Sequence, residues 1–182
     1  MIEILASLVV VLAAVVWIYN LLVKDRNQVL AAWSDIDVQL KRRHDLIPQL
    51  VTAVKAYSEH ERATMQAVTE LRRKSEVTQH LPEKALLENE IGAALSRLAM
   101  IAEAYPDLKA DENFRQLSEN LSEVEDHIQY ARRYYNGSVR IFNTRIQSFP
   151  HLFIAQPLNF RIADYFEVDE QGERVSPVVE LD

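Results

Sequence analysis

Arg42–Arg43 and Arg132–Arg133 are two pairs of adjacent arginines that are suited to chemistry with anions. Guanidinium groups bind carboxylates and phosphates through paired hydrogen bonds. The arginines are therefore expected to form salt bridges with carboxylates of neighbouring helices. The alternative is a site for an anion or a lipid headgroup. Arg43 and Glu61 also fall at helical positions where apolar residues are expected. The predicted interaction or structural polar cluster consists of Arg42, Arg43, Asp45, Pro48, Glu61, Arg132 and Arg133.

The histidines do not complete a metal-binding motif. His60 and Glu61 begin the helix motif of zinc proteases, but Thr64 occupies the place of its second histidine. None of the five histidines has a glutamate three positions before it, the spacing that di-iron bundles use. The carboxylates around His127 flank an apolar helix stripe and predict a solvated or bridging surface. We expect no metal and no cofactor.

Composition excludes further classes of reaction. The chain has no cysteine and three glycines, so it cannot supply a thiolate nucleophile or a glycine-rich phosphate loop. Its net charge of -7 disfavours nucleic acid as a partner. The charge is uneven, with ten basic against eight acidic residues over positions 24–81 and ten against eighteen from position 82 onward. We therefore predict no enzyme, no small-molecule substrate and no nucleic-acid binding.

The first 23 residues form an apolar segment that predicts a membrane anchor. Ile4 to Val23 is interrupted only by Ser7 and Asn20. As a helix it spans roughly 30 Å, the thickness of one hydrocarbon core. No basic residue precedes it and no small-residue cleavage site follows, which favours an uncleaved signal anchor. Basic residues follow the span and none precedes it, predicting an outside N-terminus and a cytoplasmic C-terminal domain in the bacterial inner membrane.

Apolar residues at alternating steps of four and three predict long helices packed lengthwise. The first such stripe runs from Val29 to Leu71, with a kink expected near Pro48. Residues 75–81 form a loop, and a second helix ends at Pro106. The sequence PDLKA forms another loop, and Asp111 caps a third helix of roughly 38 residues that ends before Pro150. Within this helix Gly137 is expected to mark a close approach of helices.

These elements predict an all-α fold: an N-terminal transmembrane helix, then an antiparallel up-and-down bundle of three long helices plus a short C-terminal helix or strap. The predicted divisions are a signal anchor at 1–23, a cytoplasmic bundle at 24–168 and an acidic, extended or disordered tail at 169–182.

The chain resembles the LemA family. The strings that carry the resemblance are AWSDIDVQLKRRHDLIPQLV, VKAYSEHE, AEAYPDLKADENF, ARRYYN, FNTRIQSFP and the F-x-x-x-x-YF pattern of Phe160 and Phe166. They cover about residues 19–167, and Gln49 replaces the asparagine usual in the family. The resemblance implies a single-pass bacterial membrane protein with a helical bundle domain, and it implies no catalytic residues.

The sequence is compatible with two functions. The first is a non-enzymatic scaffold, held by the lipid bilayer, that associates with its own copies as a homo-oligomer or with another membrane protein. The alternative, at which the family resemblance hints, is an adaptor or regulator of a membrane protease or chaperone in membrane-protein quality control.

Overall fold

A computed structural model describes residues 1–57 and 61–166, and the regular secondary structure in these ranges is helical. It confirms the predicted all-α fold, with a long apolar N-terminal helix followed by further helices. The helices are α1 Ile2–Tyr57, α2 Arg62–Val77, α3 Leu81–Glu103, α4 Pro106–Ala110, α5 Glu112–Gln147 and α6 Leu152–Ala155.

Helix α1 is a 56-residue helix that joins the apolar N-terminal segment to the bundle without a break. It is long and apolar enough to cross a membrane, and its side chains up to Trp17 are exposed. Further along, the predicted stripe is buried at Val29, Ile36, Leu40, Ile47, Leu50 and Val54. Pro48 lies on the exposed side and the helix continues through it. The predicted kink there and the division at residue 23 stay predictions.

The prediction that the first bundle helix continues to Leu71 is wrong. Helix α1 ends at Tyr57, and α2 runs back beside it, so that a carboxylate oxygen of Glu76 lies 3.9 Å from Nδ1 of His44. Val68 is buried as the stripe predicts, but within a separate helix that packs on α3. The apolar residues of α2 continue the four-and-three spacing of α1. The periodicity of the sequence therefore does not reveal that the chain reverses direction between the two helices.

Helices α1 and α5 form the long antiparallel pair of the bundle. Where α1 ends and α5 begins, the Tyr57 hydroxyl donates to Asp111 Oδ2 over 3.1 Å. At the opposite end of the pair, nearer the apolar segment of α1, Arg145 pairs with Asp25 over 2.7 Å. As predicted, Asp111 caps α5, because its side chain accepts from the backbone N–H of Phe114 over 2.8 Å. The stretch PDLKA is helix α4 rather than the predicted loop.

Residues 156–166 form a strap that returns along α1 and α5. Together with helix α6, this strap confirms the predicted short C-terminal helix or strap. Asn143 exchanges two hydrogen bonds of 2.9 Å with the backbone of Ala163, and Asn136 does the same with Phe166 at 2.9 and 3.2 Å. These side chains supply the partners that strap backbone groups would otherwise lack. The predicted tail at 169–182 lies outside the described residues.

Two expectations for α5 are not met. A Cβ added at Gly137 would meet nothing within 4 Å, so this glycine does not mark a close approach of helices. The predicted third helix extends as far as Pro150, whereas α5 ends at Gln147, and Phe149 beyond the helix end is 80% exposed.

Candidate functional site

A buried ion-pair cluster joins the four longest helices of the bundle. We call it the Arg43–Glu88 cluster, and it comprises Arg43 and His44 on α1, Ser75 on α2, Glu88 on α3 and Glu125 on α5. The Arg43 guanidinium pairs with both carboxylates, with Glu88 through Nη2 and with Glu125 through Nη1 at 2.7 Å. The same Nη2 also donates to the backbone carbonyl of Glu88 at 3.1 Å. One side chain thus binds two neighbouring helices.

Glu88 is the acceptor at the centre of the cluster and is 1% exposed. Its Oε1 accepts from His44 Nε2 at 2.9 Å and from the Ser75 hydroxyl, while Oε2 accepts from Arg43. Burial alone would raise the pKa of Glu88. The hydrogen bond from His44 and the positive charge of Arg43 outweigh burial and hold this pKa at about 2, below its ordinary 4.5. The side chain is therefore an anion in the folded protein.

The second predicted arginine pair divides between the interior and the surface. Arg132 is partly buried, donates to Asn89 Oδ1 at 2.9 Å and lies 5.1 Å from the centre of the Phe166 ring. Burial and the nearby charge of Arg43 lower the pKa of Arg132. Arg133 is exposed and lies 4.7 Å from the centre of the Tyr130 ring. The structure places Arg132 between α5, α3 and the strap and leaves Arg133 on the outer surface.

The remaining predicted residues do not join Arg43. Arg42 is exposed and donates to Gln39 on its own helix at 3.3 Å. Asp45 and Pro48 are also exposed. Glu61 directly precedes α2 rather than filling a slot in a continuous helix. Of the seven predicted residues, the structure therefore places Arg43 in the cluster and Arg132 beside it, and it disperses the others.

Sequence reasoning missed Glu88, His44 and Ser75. Glu88 lies three positions from Ala85 and from Ile91, on the buried side of α3, so its spacing was the available signal. Ser75 was assigned to a loop, whereas it is buried in α2. His44 is next to Arg43 but belongs to no metal motif, and no local pattern indicates that it donates to a buried carboxylate.

An open cleft between α3 and α5 adjoins the cluster. Its volume is about 480 Å³, and its lining is mainly aliphatic and hydroxyl side chains, including Leu50, Leu95, Ser118 and Ser122. Glu125 also lines it, and the side chain of Glu125 is 32% exposed. Water therefore reaches the Arg43–Glu125 pair from this side but does not reach Glu88.

The arrangement is suited to joining helices rather than to acid–base chemistry. Both oxygens of Glu88 already accept hydrogen bonds, and its low pKa opposes protonation near neutral pH. Within residues 1–57 and 61–166, no group of three or more His, Asp or Glu side chains is placed to hold a metal ion. The cluster can fix which faces of α1, α2, α3 and α5 meet.

Comparisons with known proteins place the sequence among bacterial relatives. A family model described as the LemA family matches residues 32–181. Protein LemA of Metamycoplasma hominis is 30% identical over 152 residues, which is 83% of this chain and 69% of that protein. Magnetosome protein MamQ of Magnetospirillum gryphiswaldense is 24% identical over 199 residues, covering 95% of this chain and 72% of the relative. Magnetosome protein MamQ 2 of Paramagnetospirillum magneticum is 31% identical over 98 residues, covering 53% and 35%.

Proposed function

The chain belongs to the LemA family, and we propose that it is a membrane-anchored scaffold without catalytic activity, whose helical bundle associates side by side with further copies of itself. The apolar N-terminal helix and the membrane-associated, helical character of the family support the anchoring. The twenty residues after the span hold five basic residues and none precedes it, which supports a bundle on the cytoplasmic side of the bacterial inner membrane; the five are Lys24, Arg26, Lys41, Arg42 and Arg43.

One observation carries the proposal of self-association, a tyrosine-rich face between α1 and α5. Tyr130 is 65% exposed and Tyr134 52% exposed, and both border a shallow groove with Val38 of α1, itself 54% exposed. Tyrosine is enriched at protein interfaces because it offers a large apolar area with a polar tip. We call Val38, Tyr130 and Tyr134 the tyrosine face.

The tyrosine face lies on the side of α5 away from the strap. Arg132, which contacts the strap through Phe166, is two positions from both tyrosines, or about 200° around the helix. A second copy could therefore cover the face without displacing the strap. The long α1–α5 pair offers a lengthwise contact of the kind that coiled-coil proteins use.

The buried charges support a structural rather than a catalytic role. In the Arg43–Glu88 cluster each carboxylate is paired with a protein group, and the pKa of Glu88 at about 2 removes it as a general base near pH 7.

Cysteine cross-linking in native membranes tests this proposal, because the chain has no cysteine of its own. We expect Tyr130→Cys to give a homodimer band with a bifunctional maleimide. The matched control is Arg97→Cys at an exposed position of α3, which we expect to stay monomeric. Equal cross-linking of the two variants, or none, would overturn side-by-side association. A band containing a different membrane protein would support the adaptor alternative instead.

A further inference from the structure

The end of the bundle nearest the apolar span of α1, which we call its base, exposes a group of large apolar side chains. Phe149 and Phe153, at the turn into α6 and within it, are 80% and 69% exposed, and their rings contact each other edge to face at 5.9 Å. Leu158 and Ile162 of the strap are also more than half exposed. We call these four residues the apolar base. Large apolar side chains that are exposed close together, as Phe149 and Phe153 are, mark surfaces that contact a partner or a membrane.

The apolar base lies beside the membrane segment of α1 rather than beyond it. Ile18 and Leu22, in the last turns of the apolar run, are buried in the same core as Ala155 of α6. The rings of Tyr19 and Phe160 meet edge to face at 6.3 Å. The bundle therefore begins to pack on α1 before the apolar run has ended at Val23.

The length of the exposed part of α1 shows which part of the bundle a bilayer would reach. Ile2 to Trp17 is exposed all round, and these 16 residues are about 24 Å long. A hydrocarbon core of roughly 30 Å needs about four residues more. Those residues begin at Ile18, where α6 packs, so a bilayer that covers the span also reaches the apolar base. Phe149 follows Arg145, the partner of Asp25, by four positions and so lies near the depth of Leu21.

Basic side chains lie beside Ile162, at the edge of the apolar base farther from the apolar span of α1. Arg26 and Arg161 both line a cleft of about 370 Å³ that Phe160 also borders. Both arginines are exposed, and Nε of Arg161 donates to Asn159 Oδ1 at 3.1 Å, which orients the guanidinium. Basic residues next to an inserted apolar surface attract anionic lipid headgroups.

From these observations we infer that the base of the bundle is a second membrane attachment: the apolar base inserts into the interface of the leaflet from which the bundle projects, and Arg26 and Arg161 contact the phosphates of its anionic lipids. The inference rests on the proposed membrane anchoring and adds a lipid-binding surface to the soluble part of the chain. Such a surface would fix the rotation of the bundle about α1.

Spin-label accessibility in the full chain tests the insertion. Single cysteines replace Val9 in the span, Phe153 in the apolar base and Met100, which is 66% exposed on α3. Each variant is nitroxide-labelled in nanodiscs of phosphatidylcholine and phosphatidylglycerol, and power saturation compares collisions with oxygen and with a water-soluble nickel chelate. We expect oxygen to dominate at positions 9 and 153 and nickel to dominate at position 100. Leu158→Cys gives the same readout if Phe153→Cys does not fold.

The outcomes separate the inference from the proposal beneath it. Nickel dominance at position 153 with oxygen dominance at position 9 would overturn the insertion and leave the anchor intact. Little access of either reagent to position 153 would point to a protein cover and would also overturn it. Nickel dominance at position 9 would overturn the membrane anchor itself.

Lipid composition tests the arginine contact. We expect exchange of pure phosphatidylcholine for a mixture with phosphatidylglycerol to raise the thermal midpoint of the wild-type chain in nanodiscs. We expect the double variant Arg26→Gln, Arg161→Gln to lose most of this rise. The control Arg140→Gln, at an exposed position of α5 away from the cleft, should keep it. An unchanged rise in the double variant would overturn the phosphate contact.

Discussion

Replacing Glu88 by glutamine should destabilise the bundle strongly, because the change removes the negative charge that Arg43 and His44 face. The pKa of Glu88 is about 2 in the folded protein against an ordinary 4.5. A difference of this size corresponds to about 3 kcal/mol of stability at neutral pH. Loss of one partner of a buried ion pair costs roughly 3–5 kcal/mol, which agrees in size. We expect Glu88→Gln to lower the free energy of unfolding by about 3 kcal/mol.

The lowered pKa of Glu88 also determines how the stability of the bundle depends on pH. Because folding lowers the pKa of Glu88, its contribution is fully present above pH 4.5 and is lost as the pH falls toward 2. The difference in unfolding free energy between the wild type and Glu88→Gln should therefore shrink to about 1 kcal/mol at pH 3. Urea unfolding of the full chain in detergent micelles, followed by helical circular dichroism at pH 7 and pH 3, measures both values.

Matched variants distinguish this explanation from a general loss of charge. Glu90→Gln removes an exposed carboxylate from the same helix and should change the unfolding free energy by less than about 0.5 kcal/mol. Glu125→Gln should cost about 1 kcal/mol or less, because water reaches its side chain. Adding Arg43→Met to Glu88→Gln should cost less than the two single losses together. A Glu88→Gln protein as stable as Glu90→Gln at pH 7 would refute the reasoning.

Three further changes test the packing by urea unfolding. Asn143→Ala should cost roughly 1–3 kcal/mol, because it leaves strap backbone groups without partners, whereas Asn120→Ala at an exposed position should be near neutral; equal costs would contradict the role of the strap contacts. Gly137→Ala should stabilise by about 0.5–1 kcal/mol, since the new methyl group meets open space, and a loss of stability would show that the space is filled. Asp111→Ala should cost about 1 kcal/mol through loss of the helix cap, and Asp111→Asn should restore most of it.

The sequence predicted the helices because their apolar residues repeat locally, and it missed the reversal because that feature leaves no local mark. Spacing alone identified the buried positions Ile36, Leu40 and Ile47 of α1. Between Tyr57 and Arg62 there is no glycine or proline to signal a turn, and the apolar phase continues through it. The chain reverses because the apolar side of α2 is buried against α3 and α1, a tertiary contact that a single helix pattern does not encode.

The site was partly predictable for the same reason. Arg43 was identified because a charge in an apolar stripe is unusual, and its location requires a partner. The partner, Glu88, could not be chosen from the sequence, since the pairing depends on which helices meet and α2 was not recognised as separate. The asparagines that hold the strap carry no motif, because their function depends on an irregular backbone segment brought beside α5.

The unbroken course of α1 has a mechanical consequence. From Lys24 to Tyr57 the helix extends about 50 Å, and no joint separates this part from the segment that crosses the lipid. A tilt of the span by about 10° therefore carries the far tip sideways by roughly 9 Å. A change in bilayer thickness that tilts the span would therefore displace the far end of the bundle.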